Sequence, residues 1–251
     1  MKGIILSGGA GTRLRPLTRV TSKQLLPIYN KPMIYYPLEK LINAGIKEIL
    51  IIVAPDHCGD YMKLLGSGRE FGVKFTYEIQ DKPEGLAQAY IIGEDFIDND
   101  NVTMILGDNI FEDEISDAIA NFKSGGIIFA KKVPDPERSG VVAFDENMKA
   151  TKIVEKPTEW ISDYAIPGIY IFDNRVVEAA KSSKPSARGE MEITDIHNWY
   201  LERGELNINI LEGGWFDAGT FESYVETNDF VLQLAKRGKD LGVKDPRDIK
   251  K

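Results

Sequence analysis

The sequence GIILSGGAGTR, residues 3–13, determines how the first part of the chain is interpreted. Residues Gly3 to Leu6 form a short apolar run, which is typical of a buried parallel strand. A glycine-rich loop follows at once, at the end of the strand where α/β sheets bind ligands. Because Gly8, Gly9 and Gly11 lack Cβ atoms, backbone N–H groups in the loop can approach an anion closely. The stretch therefore predicts either a phosphate-binding loop or a tight turn with surface arginines.

Two common phosphate-binding motifs do not fit this loop. A P-loop ends in Gly-Lys-Ser/Thr, whereas Thr12 and Arg13 follow Gly11. A dinucleotide-binding fingerprint requires a third glycine where Leu14 stands. Lys23 supplies a second cation after Arg13, and two cations beside a glycine-rich loop can neutralise a triphosphate.

Strands and helices alternate along the first part of the chain, up to Leu106. Strands are predicted at Gly3–Leu6, Glu48–Ala54, Val73–Ile79 and Val102–Leu106, and helices at Ile34–Ala44, Asp60–Leu65 and Gly85–Phe96. This alternation is typical of a parallel sheet with helices on both faces. The later part mixes predicted strands at Ile127–Lys131, Val141–Phe144, Lys152–Val154, Ile169–Phe172 and Leu206–Leu211 with predicted helices at Asn174–Lys181, Ile193–Arg203 and Thr220–Leu234. We predict an α/β protein with a Rossmann-like, mixed but mostly parallel sheet.

The sequence favours a single domain over residues 1–251, because it contains no Gly/Ser-rich linker, internal repeat or low-complexity segment. Residues 236–251 form a highly charged tail, which we expect to fray.

Composition limits the class of partner. The formal net charge of −8 argues against nucleic acid or an anionic membrane surface, since both favour a basic protein face. No apolar run approaches the roughly 18 residues of a membrane helix, and the N-terminal run is too short for a signal peptide. Cys58 is the only cysteine, so no intrachain disulfide can form. We expect a cytoplasmic protein that binds neither nucleic acid nor a membrane.

Two aspartates are candidates for a metal site. Asp108 follows the predicted strand Val102–Leu106, and so lies at the same sheet edge as the glycine-rich loop. Asp217 lies in GGWFDAGT, residues 213–220, which we interpret as a glycine-rich turn before the last helix. Magnesium is typically bound by one or two carboxylates together with phosphate oxygens. An aspartate after a strand is also a common turn or helix-capping residue, so the residues alone leave both interpretations open.

Eight segments, in order along the chain, resemble the sugar-1-phosphate nucleotidylyltransferases. They are LSGGAGTRLRPLT with SKQLLPI, QDKPEGLAQAY, LGDN, DPERSGVVAFD, VEKP, YAIPGIYIF, PSARGEMEITD and WFDAGT, and they extend from Met1 to about Tyr224. The resemblance implies a nucleotide-diphospho-sugar transferase fold, with a nucleotide-binding part over about residues 1–110 and a sugar-binding part over about residues 111–235. It also implies a homo-oligomeric enzyme of nucleotide-sugar synthesis. Such an enzyme joins dTTP or UTP to glucose 1-phosphate, with Mg²⁺ as cofactor, and releases pyrophosphate.

The resemblance also implies a role for each matching residue. The implied catalytic residues are Arg13, Lys23, Asp108 and Lys156. The implied nucleotide-binding residues are Leu6, Gly8, Gly9, Gly11, Thr12, Arg13, Lys23, Gln24, Gln80, Gly85 and Asp108. The implied sugar-phosphate-binding residues are Asn109, Gly140, Glu155, Lys156, Gly168, Tyr170, Arg188 and Glu190. The implied metal ligands are Asp108 and Asp217.

The chain departs from the family pattern at two positions and resembles its short members. Ser139 stands where relatives usually have an aromatic residue, and Pro167 replaces a usual threonine beside the sugar. From the resemblance to short members we expect no C-terminal helical extension, the segment with which long members help to form a regulatory nucleotide site.

Three activities stay open at this stage. The chain can use dTTP, it can be a uridylyl- or cytidylyltransferase, or it can bind nucleotide sugars without catalysis. The joint presence of Arg13, Lys23, Asp108 and Asp217 favours an enzyme, because binding alone does not need the full set of charges.

Overall fold

The structure, a computed structural model, describes residues 1–248. Its strands are β1 (Lys2–Ser7), β2 (Pro27–Ile28), β3 (Lys31–Pro32), β4 (Glu48–Val53), β5 (Lys74–Ile79), β6 (Val102–Leu106), β7 (Asn109–Phe111), β8 (Gly126–Lys132), β9 (Gly140–Phe144), β10 (Ala150–Glu155), β11 (Tyr164–Ala165), β12 (Ile169–Phe172), β13 (Leu206–Ile210) and β14 (Trp215–Asp217). Its α-helices are α1 (Tyr35–Asn43), α2 (Cys58–Leu65), α3 (Gln88–Ile92), α4 (Glu94–Ile97), α5 (Ser116–Asn121), α6 (Val176–Ser182), α7 (Ile193–Glu202) and α8 (Phe221–Lys236). Within residues 1–248 no helix is both long and apolar enough to span a membrane.

The described residues divide into two compact units. Unit 1 comprises Met1, Glu84–Met104 and Asn121–Glu212, and unit 2 comprises Lys2–Pro83, Ile105–Ala120 and the residues from Gly213 onward.

Unit 2 is built on the parallel strands β1, β4 and β5. Strand β1 pairs with β4 from Gly3 opposite Ile49 to Ser7 opposite Val53, and β4 pairs with β5 in the same direction. Helix α1 connects β1 to β4 and helix α2 connects β4 to β5. Such crossovers are needed because parallel neighbours cannot be joined by a tight turn. The apolar residues of β4 are completely buried, as the continuous apolar run predicts.

Unit 1 is built around β8 and has mixed strand directions. Strand β8 pairs antiparallel with β11 and β12 and parallel with β13, while β9 pairs antiparallel with β10. Helix α7 contributes Ile193, Ile196 and Tyr200 to the core of this unit. The ring of Tyr200 stacks on Phe172 of β12, with the ring centroids 4.9 Å apart.

The predicted α/β, Rossmann-like class with a mixed sheet is confirmed, and the antiparallel pairs are concentrated in unit 1. The strand predicted at Ile169–Phe172 has those bounds in the structure, and the helix predicted at Ile34–Ala44 is α1. The single helix predicted at Gly85–Phe96 is wrong, because two short helices, α3 and α4, replace it. They meet at Gly93, a residue of low helix propensity whose backbone angles are not helical.

The charged tail is anchored rather than frayed as far as Asp248. The Nζ atom of Lys31 lies 2.7 Å from an Asp240 carboxylate oxygen, and the Tyr35 hydroxyl donates to Asp245 at 2.6 Å. Leu241 is buried in a cluster with Ile28, Met33 and Tyr36. The expectation of fraying is therefore wrong for this segment, because an apolar anchor and several charged contacts hold it. Residues 249–251 lie outside the described residues.

His197 of α7 is buried in an aromatic cluster of unit 1. The centroid of its ring lies 5.1 Å from that of Tyr170 and 6.1 Å from that of Phe172. Neither ring nitrogen has a hydrogen-bond partner among the described residues. Burial without a partner disfavours the charged imidazolium and lowers the pKa of His197 to about 3. The side chain therefore packs as a neutral ring.

Replacement of His197 by phenylalanine should make the protein less sensitive to acid. In the unfolded chain a histidine titrates near 6.5, so between that value and the folded pKa of about 3 the unfolded state binds the extra proton. The contribution of His197 is thus complete above pH ~6.5 and declines as the pH falls towards the folded pKa. Urea unfolding at about pH 7.5 and about pH 5.5 should show that the wild type loses about 1.4 kcal/mol more free energy of unfolding than His197→Phe.

Phe172→Leu alters the same aromatic cluster without removing a titrating group, so it provides the control for this comparison. This variant should keep the wild-type difference between the two pH values. Equal losses in wild type and His197→Phe would contradict a neutral buried imidazole.

Candidate functional site

A two-stranded antiparallel ribbon brings the two aspartates together in unit 2. Asp217, the last residue of β14, pairs with Asn109, the first residue of β7, so it lies beside Asp108. The Ala218 N–H donates to the Asp108 carbonyl oxygen at 3.0 Å, and Trp215 Nε1 donates to the Asn109 side-chain oxygen at 2.8 Å. The interpretation of residues 213–220 as a turn is therefore wrong for Trp215–Asp217, which form a strand. Strands of three residues are too short to show a periodic sequence pattern.

Lys23 forms a buried ion pair with Asp108. Its Nζ atom contacts Asp108 Oδ2, and the two side chains are only 10% and 13% exposed. Burial alone would lower the pKa of Lys23, but the Asp108 and Asp217 carboxylates outweigh it and raise that pKa. Burial would likewise raise the pKa of Asp108, but Lys23 outweighs it and lowers that pKa. Both side chains are therefore charged at neutral pH.

Asp217 lacks a direct ion pair among the described residues. The surrounding protein atoms and the neighbouring Asp108 carboxylate raise the pKa of Asp217, and the positive charges of Lys23 and Arg13 oppose this shift. Because the Asp217 residue is exposed to solvent, its repulsion from Asp108 contributes more to this shift than burial does. A cation bound between the two carboxylates would relieve that repulsion.

The donor set of this pair fits a hard divalent ion. Asp108 and Asp217 offer only carboxylate oxygens, the ligands that magnesium prefers in proteins. Within residues 1–248 no group of three or more His, Cys, Asp or Glu residues could hold a metal ion. An ion on this pair would therefore complete its coordination with phosphate oxygens and water.

The glycine-rich loop packs closely against Gln80. A Cβ atom on Gly8 would lie 2.0 Å from Gln80 Oε1, and Gln80 is only 3% exposed at the end of β5. Gly11 has a φ of 59°, in the left-handed region that favours glycine, and its carbonyl oxygen accepts from the Thr18 hydroxyl at 2.7 Å. Gly9 has no atom within 4 Å of its Cβ position, so the loop is open at this residue.

Arg13 extends from the loop towards Asp217. Its Nη2 atom lies 2.8 Å from the position that a Cβ atom on Gly219 would take, and Asp217 Oδ1 lies at the same distance from that position. The loop also borders a cavity of about 1030 Å³, which includes Gly8, Gly9, Arg15 and Gln80 in its lining. Unit 2 thus combines cations, a backbone loop and paired carboxylates, which is the chemistry that a triphosphate with a divalent ion requires.

A second cluster of charged residues lies in unit 1. Arg188 Nη2 lies 3.2 Å from Glu155, 3.7 Å from Glu190 and 2.7 Å from Glu192, measured to carboxylate oxygens. Lys156 Nζ lies 3.8 Å from Glu155. Burial, together with the Glu192 carboxylate, raises the pKa of Glu155 against the opposing effect of Lys156 and Arg188.

The backbone of Lys156 adopts a φ of 39°, which is uncommon for a residue with a side chain. Its N–H donates to the Ser139 carbonyl oxygen at 3.1 Å, so the conformation is held by a backbone hydrogen bond. Tyr29, Asp98 and Met148 also have positive φ values, so this conformation is shared with residues outside the cluster.

Sequence reasoning missed Glu192. This residue is only 8% exposed, accepts from the Ser186 hydroxyl at 2.6 Å and binds two nitrogens of Arg188. It lies at the N-terminal cap of α7, within the PSARGEMEITD segment, and the segment gave no sign that Glu192 rather than Glu190 would be the main partner of Arg188.

The residues singled out from the sequence fall into two groups. Unit 2 contains Leu6, Gly8, Gly9, Gly11, Thr12, Arg13, Lys23, Gln24, Gln80, Asp108, Asn109 and Asp217. Unit 1 contains Gly85, Gly140, Glu155, Lys156, Gly168, Tyr170, Arg188 and Glu190. At two of these positions, Gly85 and Gly140, the surrounding atoms explain why the residue is glycine. Gly85 has a φ of 113° and a Cβ atom on it would lie 2.3 Å from the Met191 carbonyl oxygen, while a Cβ on Gly140 would lie 3.4 Å from Glu155 Oε2.

Comparison with known proteins adds independent evidence. The sequence model of a family described as "Nucleotidyl transferase" matches residues 2–234. A curated relative from Neisseria meningitidis serogroup A, named glucose-1-phosphate thymidylyltransferase, is 54% identical over 238 residues, which cover 92% of this chain and 82% of the relative. Enzymes that transfer nucleotidyl groups generally use a divalent metal ion.

Solved structures show the same likeness. The crystal structure of a candidate glucose-1-phosphate thymidylyltransferase from Bacillus anthracis, in complex with sucrose, superimposes with a TM-score of 0.89 at 48% identity and covers 98% of each chain. The structure of a UDP-glucose pyrophosphorylase complexed with UDP-glucose has a TM-score of 0.81 at 26% identity, and covers 92% of this chain and 98% of that one.

Replacement of Gly8 by alanine should destabilise unit 2, whereas replacement of Gly9 should not. The new methyl group at Gly8 would overlap the buried Gln80 amide, and such overpacking typically costs about 1–3 kcal/mol. Gly9→Ala meets open space and should change the free energy of unfolding by less than about 0.5 kcal/mol. Urea unfolding of the two variants beside wild type measures both values. Equal effects at the two positions would contradict the close packing of Gly8 on Gln80.

Proposed function

The chain belongs to the nucleotidyl transferase family, and we propose that it transfers the thymidylyl group of dTTP to glucose 1-phosphate, forming dTDP-glucose and pyrophosphate. The observation that carries this proposal is the high identity, over most of the chain, to curated enzymes named for that reaction. The charged centre of unit 2 supports it, because paired carboxylates, a buried lysine and a glycine-rich loop suit a triphosphate substrate.

In the proposed reaction, an oxygen of the sugar phosphate attacks the α-phosphorus of dTTP. The bond between the α-phosphorus and the bridging oxygen of pyrophosphate breaks, and pyrophosphate leaves with that electron pair. The attacking phosphate is already ionised, so the step needs no strong general base. Catalysis then depends on alignment of the reactants and on stabilisation of the developing charge.

Lys23 and Arg13 are the cations that we assign to the triphosphate. Lys23 is held by Asp108 and so presents a fixed positive charge, which we assign to the α-phosphate. Arg13 lies on the exposed side of the loop, where its guanidinium can bind the departing β- and γ-phosphates through two parallel hydrogen bonds. The open backbone at Gly9 is suited to approach by the same phosphates.

Asp108 and Asp217 are the residues that we assign to Mg²⁺. Bound on this pair, Mg²⁺ would supply positive charge beside the α-phosphate. Asp108 then serves both the metal and Lys23, while Asp217 is available for the metal alone among its described contacts.

Unit 1 supplies the residues that we assign to the sugar phosphate. Glu155 accepts hydrogen bonds and suits sugar hydroxyls, whereas Lys156 and Arg188 suit the phosphate. Three carboxylates of the protein orient Arg188. We also propose a homo-oligomeric state, which light scattering of the purified chain tests.

Uridylyl transfer from UTP is the second candidate function. The fold likeness to a UDP-glucose pyrophosphorylase supports it. Thymine and uracil have the same imide edge, with an N3–H donor between two carbonyl acceptors, so a pocket built around the Gln80 amide would accept both bases.

The preference among triphosphates distinguishes these functions. With glucose 1-phosphate, dTTP and UTP should both release pyrophosphate, and dTTP should be preferred by up to about tenfold for its methyl group. CTP and purine triphosphates should be poorer by about 100-fold or more, because cytosine reverses the hydrogen-bond pattern and a purine is too large. The measurement is kcat/KM for each triphosphate from pyrophosphate release.

Comparable efficiency with CTP or ATP would refute the assigned base pocket. Absence of pyrophosphate release with every triphosphate and sugar 1-phosphate would refute the proposed function in favour of a nucleotide-sugar binding protein.

The metal assignment is tested at Asp217. Asp217→Asn is preferable to Asp108→Asn, because loss of the Asp108 charge would also leave Lys23 buried without its partner. We expect kcat in saturating Mg²⁺ to fall by about 100-fold or more, since the carboxylate charge that binds the ion is lost. The exposed Asp229→Asn on α8 is the control and should retain wild-type turnover. Wild-type turnover by Asp217→Asn, or full activity of the wild type in excess chelator, would contradict the assignment.

A further inference from the structure

The two residues that flank Lys23 are polar and almost completely buried. Ser22 is 4% exposed and Gln24 is 3% exposed, and both belong to the 3₁₀ turn that carries Lys23. The Ser22 hydroxyl donates to Gln24 Oε1 at 2.8 Å. Polar side chains are rarely buried to this extent without a specific set of partners.

Tyr61 of α2 supplies the remaining partner. It is fully buried, and its hydroxyl oxygen lies 2.7 Å from Ser22 Oγ and 3.3 Å from Gln24 Oε1. Burial raises the pKa of Tyr61, so the phenol remains a neutral hydrogen-bond donor. Through its single hydroxyl group, Tyr61 of α2 therefore contacts both residues that flank Lys23.

The same turn is confined on two other sides. Gln24 Cγ lies 2.9 Å from the position of a Cβ atom on Gly107, the residue before Asp108. Lys23 Cβ lies 3.4 Å from the corresponding position on Gly11 of the glycine-rich loop. The turn is thus packed between the loop and the chain that carries Asp108, and a shift of the turn would displace Lys23 from its carboxylate.

The hydrogen bonds of the Gln24 side chain are all made by its amide oxygen, Oε1. Both hydroxyl groups bind Oε1, while Nε2 has no hydrogen-bond partner among the described residues. An amide NH₂ group carries two donors, and Nε2 is not among the fully buried polar atoms that lack a partner, so it reaches solvent. An acceptor oxygen of a ligand can therefore approach it.

We propose that Tyr61 is a positioning residue for the nucleotide. Through Ser22 it fixes the turn that holds Lys23 against Asp108, and through Gln24 Oε1 it keeps the Nε2 donors turned towards an acceptor oxygen of the nucleotide. Tyr61 itself does not touch the substrate. This inference rests on the proposed function, since the nucleoside triphosphate is the ligand that Lys23 and Gln24 would bind.

Tyr61→Phe removes the hydroxyl group and keeps the ring, so it tests the inference directly. We expect KM for dTTP to rise by about tenfold, the effect of one hydrogen bond, with a comparable fall in kcat/KM. KM for glucose 1-phosphate should change less than about twofold, because the contacts of Tyr61 lead to the nucleotide side only. A merely structural role would not separate the two substrates in this way.

Tyr36→Phe is the matched control. Tyr36 is also buried in unit 2, and its hydroxyl donates one hydrogen bond, to the Ile28 carbonyl oxygen at 2.6 Å. This variant should lose at least as much free energy of unfolding as Tyr61→Phe and keep the wild-type KM for dTTP. Parallel changes of stability and KM in the two variants would overturn the inference.

A double-mutant cycle shows whether Tyr61 acts through Gln24. Gln24→Met removes the amide at similar volume, and Tyr61→Phe in that background should add less than about twofold to the KM for dTTP. Additive effects of the two substitutions would overturn the inference. The activity of the wild type distinguishes failure of this inference from failure of the proposed function. A wild type that releases no pyrophosphate would refute the proposed function. An active wild type with an unchanged KM for dTTP in Tyr61→Phe would refute only the role of Tyr61.

Discussion

The buried ion pair between Lys23 and Asp108 is the interaction on which the organisation of unit 2 depends. Removal of two charges from water costs several kcal/mol for each, and their attraction compensates only when the geometry is well defined. Three separate parts of the chain provide that geometry: the turn at Lys23, the β6–β7 connection at Asp108 and the β14 strand at Asp217. Loss of either partner would leave an isolated buried charge, at a cost of about 3–5 kcal/mol. The site is therefore built into the core and is not a surface addition to it.

The two units use charge in different ways. In unit 2, cations and carboxylates are arranged around an exposed glycine-rich loop, and the repulsion between Asp108 and Asp217 favours the arrival of a cation. In unit 1, a single arginine is shared among three carboxylates, and the backbone of Lys156 is held in an uncommon conformation. Contacts within the protein hold both arrangements, and charges held in this way are the condition for electrostatic catalysis.

Much of this fold could be predicted from the sequence, because long apolar runs such as that of β4 identify buried strands by themselves. The position of Asp108 was also predictable, since it follows such a strand. The proximity of Asp217 to Asp108 could not be predicted. Strands β7 and β14 have three residues each, so they are recognisable only from their pairing, which joins distant parts of the chain. The break at Gly93 is a local effect of glycine that the apolar pattern hides, and Glu192 is only four residues from Arg188, but Glu190 beside it offers the same carboxylate. The anchored tail was missed because its charges suggested solvent, whereas the buried Leu241 and the contacts of Asp240 and Asp245 hold it.

The division of the chain has a consequence for the order in which the protein forms during synthesis. Unit 1 is complete once residue 212 has been made, but unit 2 also needs the residues from Gly213 onward. Until those residues leave the ribosome, Asp108 lacks its neighbour Asp217, and Ile28 and Met33 lack the cover of Leu241. Residues near the N-terminus, such as Ile28 and Met33, therefore keep apolar surface exposed until the C-terminal residues have been made. Nascent chains in such a state are prone to aggregation, and the charged centre of unit 2 is among the last parts of the molecule to form.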